Sequence, residues 1–127
     1  MMLDDLFSAR FADGGRGPDE YDCFGLFEEL CRRRGTPISP ETTPTQVQAK
    51  DAAIQSAIGR GEWQRLETPE PGCAVVFVVV PPFATHMGMV LDDGLTFIHI
   101  RKGSNVSVER LASSRWCQRI AGFYRHV

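Results

Sequence analysis

No stretch of the sequence approaches the roughly 20 apolar residues that a membrane-spanning helix needs. The longest apolar run covers only residues 74–80. No charge of one sign dominates either, since 14 basic residues stand against 16 acidic ones, a net charge of −2. That balance argues against a mainly electrostatic hold on nucleic acid or on an anionic membrane. The opening MMLDDLFSAR lacks the apolar core of a secretory signal, so the expectation is a chain that is cytoplasmic as synthesised. Cysteine is scarce, with four residues (Cys23, Cys31, Cys73 and Cys117) and no C-x-x-C pair. Cytosolic thiols stay reduced, and none of the four lies close to a histidine, so neither disulfides nor a metal centre is expected. There is no internal repeat and no low-complexity segment.

What is present is an ordinary globular balance, 43% hydrophobic and 24% charged over 127 residues. This length suits one domain, residues 1–127, able to bury roughly two-thirds of its unfolded surface. Residues 12–19, ADGGRGPD, form an early loop in which glycine and proline oppose regular structure. Asp22 reads as an N-cap for a helix over 23–34, closed by Gly35 with Pro37 beyond. Acidic residues precede this helix and Arg32, Arg33 and Arg34 end it, as the macrodipole favours. Cys23, Leu26, Phe27 and Leu30 fall at the spacing of one buried face.

A second, weaker helix is expected over 45–58, turning Val47, Ala53, Ile54, Ala57 and Ile58 inward. Beyond Pro71 the pattern becomes that of strands. Residues 73–80 form a continuous β-branched run suited to a strand buried on both faces. Residues 85–91 and 95–100 read as a hairpin around Asp92-Asp93-Gly94. Residues 105–111 alternate, and 119–125 make a last strand. One leading helix and about five following strands predict an α+β fold with a mainly antiparallel sheet.

Cys23 stands in the first turn of its helix, where unpaired N–H groups favour an anion. Such a position can lower a thiol pKa from about 8.5 to roughly 3.5–7.5 when a histidinium is near. Alone, a cysteine here is more often a core residue than a nucleophile, filling the apolar stripe it shares with Leu26 and Leu30. A base is needed to make it a nucleophile, and the hairpin supplies two candidates. With Asp93 and Gly94 at the centre of the turn, Val90 pairs with Phe97 and Gly88 with His99. Alternation then puts His86, Gly88 and Val90 on one face with Phe97 and His99. His86 and His99 become diagonal neighbours, and Gly88 leaves room between them. Met87, Met89, Leu91, Ile98 and Ile100 take the other face. His126, beside the C-terminus, reads as exposed and inert. A cysteine at a helix start, a histidine on a strand and a second group orienting that histidine make the nucleophile–base–orienter pattern of thiol hydrolases.

These residues have a familiar order. GGRGPDEYDCFGLFEEL resembles the nucleophile motif of the NlpC-type cysteine peptidases, a Gly-Gly loop followed by Asp-Cys-x-Gly-Leu. THMGMVLDDGLTFIHI resembles the family's His-x-Gly strand with a second histidine on the next, EPGCAVVFV the strand between, and RIAGFYR the closing segment. With Phe24, Trp116 and Gly122-Phe123-Tyr124-Arg125, the chain looks closest to tail-assembly members of tailed phages and prophages. The resemblance implies a papain-like fold whose N-terminal helix carries Cys23 against the sheet. It implies a cofactor-free hydrolase of peptidoglycan stem peptides, typically cutting after a γ-linked D-glutamate. Cys23 matches the nucleophile, His86 the base and His99 the third polar residue; Asp22, Gly25, Gly88 and Phe11 match positions that shape the site. Phe24 replaces a common serine, Cys73 stands where aspartate is usual, and Phe11 occupies the place of a tyrosine. A lost hydroxyl donor there is worth about 10²–10³ in rate. The expected partners are the stem peptide and other phage tail proteins. The alternatives are a weakly active structural component of a tail, or a thiol amidase or acyltransferase on another substrate.

Overall fold

The computed structural model describes residues 1–127. Two short parallel strands, β1 (Arg10–Phe11) and β2 (Glu20–Tyr21), bracket the glycine-rich loop and deliver the chain to α1 (Cys23–Arg33). The Asp22 carboxylate accepts the Gly25 N–H at 2.7 Å, the N-cap the sequence predicts. The other end closes on Gly35 at φ +79, with Thr36 N–H donating to Cys31 O and Gly35 N–H to Arg32 O. That double bond is a Schellman motif, and the left-handed residue it requires is why a glycine stands there.

Helix α2 (Val47–Gly59) begins two residues later than expected and has no side-chain cap. Only Ile54 is fully buried on it. Asp51 ties α2 to the sheet by accepting the Ala84 N–H at 2.9 Å. The main sheet contains β3 (Trp63–Leu66), β4 (Ala74–Val80), β5 (Phe83–Val90), β6 (Thr96–His99), β7 (Ser107–Arg110) and β8 (Ile120–His126). Its order is β3-β8-β4-β5-β6-β7, with every pairing antiparallel. The fold is therefore α+β as expected, but with six strands in the main sheet rather than about five. The added strand is β3, a four-residue edge strand in register with the last residues of β8.

Alternation along β4 splits the interior in two. Ala74 and Val76 join Leu26, Phe27, Leu30, Met89, Ile98 and Ile100 under α1. Cys73, Val75 and Phe77 join Val90, Phe97 and Trp116 on the other side. The hairpin register pairs Met89 with Ile98 and Val90 with Phe97. The expected partition of β5 and β6 between the two faces is thus realised.

The turn itself differs from expectation. Gly94 N–H donates to Leu91 O at 3.0 Å, so Asp92 and Asp93 are its central residues. Only Gly94 has positive φ there, at +69. Asp93 closes the loop by accepting the Leu95 and Thr96 N–H groups, each at 2.9 Å. A four-residue loop and a two-residue loop both keep the same parity, which is why the faces come out right although the turn does not.

Candidate active site

Strand β6 meets β5 only at Met89 and Val90. The earlier part of β5 therefore offers the backbone of that edge to something else, and the start of α1 lies there. Cys23 Sγ stands 4.0 Å from Thr85 O. The Met87 N–H also faces the sulfur. Residues two apart on a strand point their backbone groups to the same edge. The sulfur thus sits against the backbone on either side of His86. No hydrogen bond joins Cys23 to the His86 ring; the thiol's own contact is the Thr85 carbonyl.

The two histidines do meet. His86 Nε2 lies 2.7 Å from His99 Nδ1, the diagonal contact that the register predicts. His99 Nε2 in turn bonds the Glu109 carboxylate. The rings sit in an aromatic cage: Phe77 and Trp116 lie 5.6 and 5.7 Å from His86, and Phe97 lies 4.7 Å from His99. Exposure is 7% for Cys23, 7% for His86 and 1% for His99, so all three titrate in a low-dielectric setting.

Burial sets the charges. Desolvation pushes the Cys23 thiol up to about 11, against the favourable Met87 and Phe24 N–H groups. This reverses the expectation of a lowered thiol: a helix start favours the thiolate, but full burial outweighs it. Burial likewise holds His86 well below 6.5, with repulsion from His99, Arg101 and Lys50 adding to it. His99 is also lowered by burial, although Glu109 works in the opposite direction. At neutral pH the resting site is a neutral thiol beside neutral imidazoles, not a preformed ion pair.

The surrounding glycines and Asp22 have identifiable tasks. Asp22 is buried, accepts the Gly14 N–H at 3.2 Å and pairs with Arg16 at 2.9 Å. It thereby pins the glycine loop to the helix start. Any Cβ on Gly25 would strike the Gly15 carbonyl and come 3.0 Å from the Arg16 guanidinium. At Gly88 a Cβ would lie 2.8 Å from Ile98 O and 3.2 Å from His99 Cβ. Gly88 does face His99, as expected. The backbone contact means that a valine there would press on the sheet as well as on the ring. Phe11 is half-buried, paired with Tyr21 across β1–β2 and packed on the helix-side core.

Of the other cysteines, Cys31 and Cys73 are buried, with the Cys31 thiol raised by desolvation to about 12. Cys117 is the one exposed thiol. His126 is exposed as expected, set edge-on to Trp63 at 4.9 Å. It also helps to line an apolar cavity of about 210 Å³ beneath α2 with Phe24, Phe27, Ile54 and Met87. Neither Cys23 nor His86 lines that cavity. No three His, Cys, Asp or Glu side chains converge to hold a metal. Glu109 is the polar neighbour that the sequence reading missed. Alternation over 105–111 puts Glu109 with Ser107 among the polar residues of an edge strand, and only the pairing of Phe97 with Glu109 reveals that it faces the two histidines.

Comparison with known proteins decides the family. The model of the NlpC/P60 family matches residues 8–125. The chain belongs to the NlpC/P60 family. Membership makes it one of a family of cysteine peptidases and hydrolases. Among solved structures, NlpC1 of Trichomonas vaginalis is 23% identical with a TM-score of 0.69, over 98% of this chain and 41% of that one. NlpC2 of the same organism is 21% identical with a TM-score of 0.68, over 98% and 43%. An NlpC/P60 family protein of Bacillus cereus is 19% identical with a TM-score of 0.64, over 99% and 40%. These likenesses establish the shared fold. This NlpC/P60 chain spans about two-fifths of the length of those neighbours. No curated protein matches its sequence.

Proposed function

We propose that this chain is a thiol hydrolase cleaving amide bonds in peptidoglycan stem peptides, with Cys23 as nucleophile, His86 as general base and acid, and His99 orienting His86. The observation that carries the reading is the 2.7 Å contact between His86 Nε2 and His99 Nδ1, on the strand whose edge holds the Cys23 sulfur. With Nε2 engaged, Nδ1 is the His86 nitrogen left for chemistry. In this reading it takes the thiol proton as the sulfur attacks the substrate carbonyl carbon. The tetrahedral oxyanion forms beside the first turn of α1, whose N–H groups have no intrahelical acceptors. His86 then returns the proton to the leaving amine, and water hydrolyses the thioester by the reverse relay.

A neutral resting pair suits this sequence, because proton transfer waits for substrate and the free thiol is protected meanwhile. We further assign the chain to a tail-associated role in phages or prophages, supported by Phe24, Trp116 and the closing Gly122-Phe123-Tyr124-Arg125. No helix is long and apolar enough to cross a membrane. Incubation with purified peptidoglycan, followed by mass spectrometry of released fragments, tests the substrate. Stem-peptide cleavage by the native protein and none by Cys23→Ala is expected. Absence of cleavage, or equal cleavage by Cys23→Ala, overturns the reading.

A further inference from the structure

Two arrangements of protons satisfy the short contact between the histidines equally well. In one, His86 Nε2–H donates to a bare His99 Nδ1. In the other, His99 Nδ1–H donates to a bare His86 Nε2, and the second proton position of His86, Nδ1, is filled. Only the first leaves His86 Nδ1 able to accept a thiol proton. Something must choose between them, and the choice lies one residue further along the chain of contacts.

We propose that Glu109 is a positioning residue that sets the tautomer of both histidines through its bond to His99 Nε2. A carboxylate only accepts hydrogen bonds, so His99 Nε2 carries the proton. A neutral imidazole has a single N–H, which leaves His99 Nδ1 bare. His86 Nε2, 2.7 Å away, must then donate to it, and His86 Nδ1 is bare in turn. Strand β7 fixes Glu109 in this role, since its pairing opposite Phe97 puts the carboxylate diagonal to His99. Burial raises the Glu109 carboxyl, but the nearby Trp116 N–H and His99 outweigh it and hold it below the ordinary range. The buried Trp116 Nε1 makes no hydrogen bond elsewhere that would compete for its N–H.

The other charged groups around the pair are Lys50 from α2, Arg101 after β6, and Arg115 beside Trp116. All three are cations and disfavour a proton on the histidines; Glu109 is the anion that opposes them. The inference rests on the proposed thiol chemistry only for its kinetic consequence, because the tautomers exist in the resting protein.

The test compares Glu109→Leu, which has no acceptor, with Glu109→Gln, which keeps one oxygen, both with Cys117→Ser to remove the exposed thiol. Long-range ¹H–¹⁵N spectra at neutral pH should show the parent with both rings protonated at Nε2. Glu109→Leu should show His86 partly protonated at Nδ1, and Glu109→Gln should keep the parent pattern. Cys23 alkylation by iodoacetamide should fall about tenfold in Glu109→Leu, the scale of one lost hydrogen bond, and largely recover in Glu109→Gln. Its acid limb should move to lower pH in Glu109→Leu, since the carboxylate helps to hold a second proton on His99. If Glu109→Leu does not fold, the parent spectrum decides alone. A parent His99 protonated at Nδ1, or unchanged tautomers in folded Glu109→Leu, overturns the inference. If the tautomers behave as stated while no peptide is cleaved, the inference stands and the failure lies with the proposed function.

Discussion

The two faces of the main sheet are built from alternate residues of the same strands, yet they do different work. On the side of α1 sixteen buried residues pack together, most of them aliphatic. On the opposite face lie seven, among them Phe77, Phe97 and Trp116, and into that aromatic layer β5 and β6 place His86 and His99. Aliphatic packing is adaptable and serves to hold a helix. Flat rings around an imidazole fix its plane and exclude water, raising the consequence of every hydrogen bond inside. The first face is expected to govern stability and the second reactivity.

The largest effect should appear on the histidine face. His86→Ala is expected to lower turnover by about 10²–10⁴-fold, the usual share of a positioned acid–base group. His99→Asn should retain partial activity, because an amide oxygen can still accept the His86 Nε2–H. Steady-state kinetics on a soluble stem peptide checks both, and equal losses would contradict the division of labour. Across the sheet, Leu30→Ala is expected to destabilise by about 2–5 kcal/mol, as a buried leucine lost to a cavity does. Its turnover per folded molecule should be unchanged, which urea melts and kinetics below the transition would show. A fall in specific activity would break the separation of faces.

Gly88→Val joins the two faces in one residue. Its side chain meets the Ile98 carbonyl and His99, so about 1–3 kcal/mol of overpacking is expected together with slowed Cys23 chemistry. Thermal unfolding and alkylation measured on the same sample test it, and a fully stable, fully reactive variant would show the contact to be harmless. The smallest effect is on pH. Both histidines titrate lower in the fold than the 6.5 of a free ring. The unfolded chain therefore binds more protons below that value, and stability should fall as pH drops from about 6.5 toward the folded values. Urea midpoints at pH 8 and pH 5 measure this, and a higher midpoint at pH 5 would contradict it.

Much of this was legible from residues alone. Asp22 as cap, Gly35 as stop and the i, i+3, i+4 stripe locate α1 because each rule is local. Parity locates His86 beside His99, since a strand offers only two faces. Strand β3 was hidden because four residues between Gly61 and Pro69 carry too little alternation to stand out, and its strand character comes from pairing with β8. The two-residue strands β1 and β2 are defined by their pairing with each other, helped by bridges from Arg10 to Asn105 and from Arg16 to Tyr21. Glu109 and the raised Cys23 thiol escaped for a related reason: both depend on tertiary burial, which spacing along the chain does not encode. The helix-start argument for Cys23 was correct about the local field and silent about desolvation, the larger effect.

A buried, neutral thiol is activated in this site by His86 rather than by its own acidity. The pH dependence of Cys23 alkylation in the Cys117→Ser protein, with and without His86→Ala, measures that activation. With His86 present, the rate should level off near or below neutrality, where the imidazole is already a free base. Without it, the rate should stay low and climb only toward the thiol's own pKa of about 11. Superimposable profiles would contradict the claim.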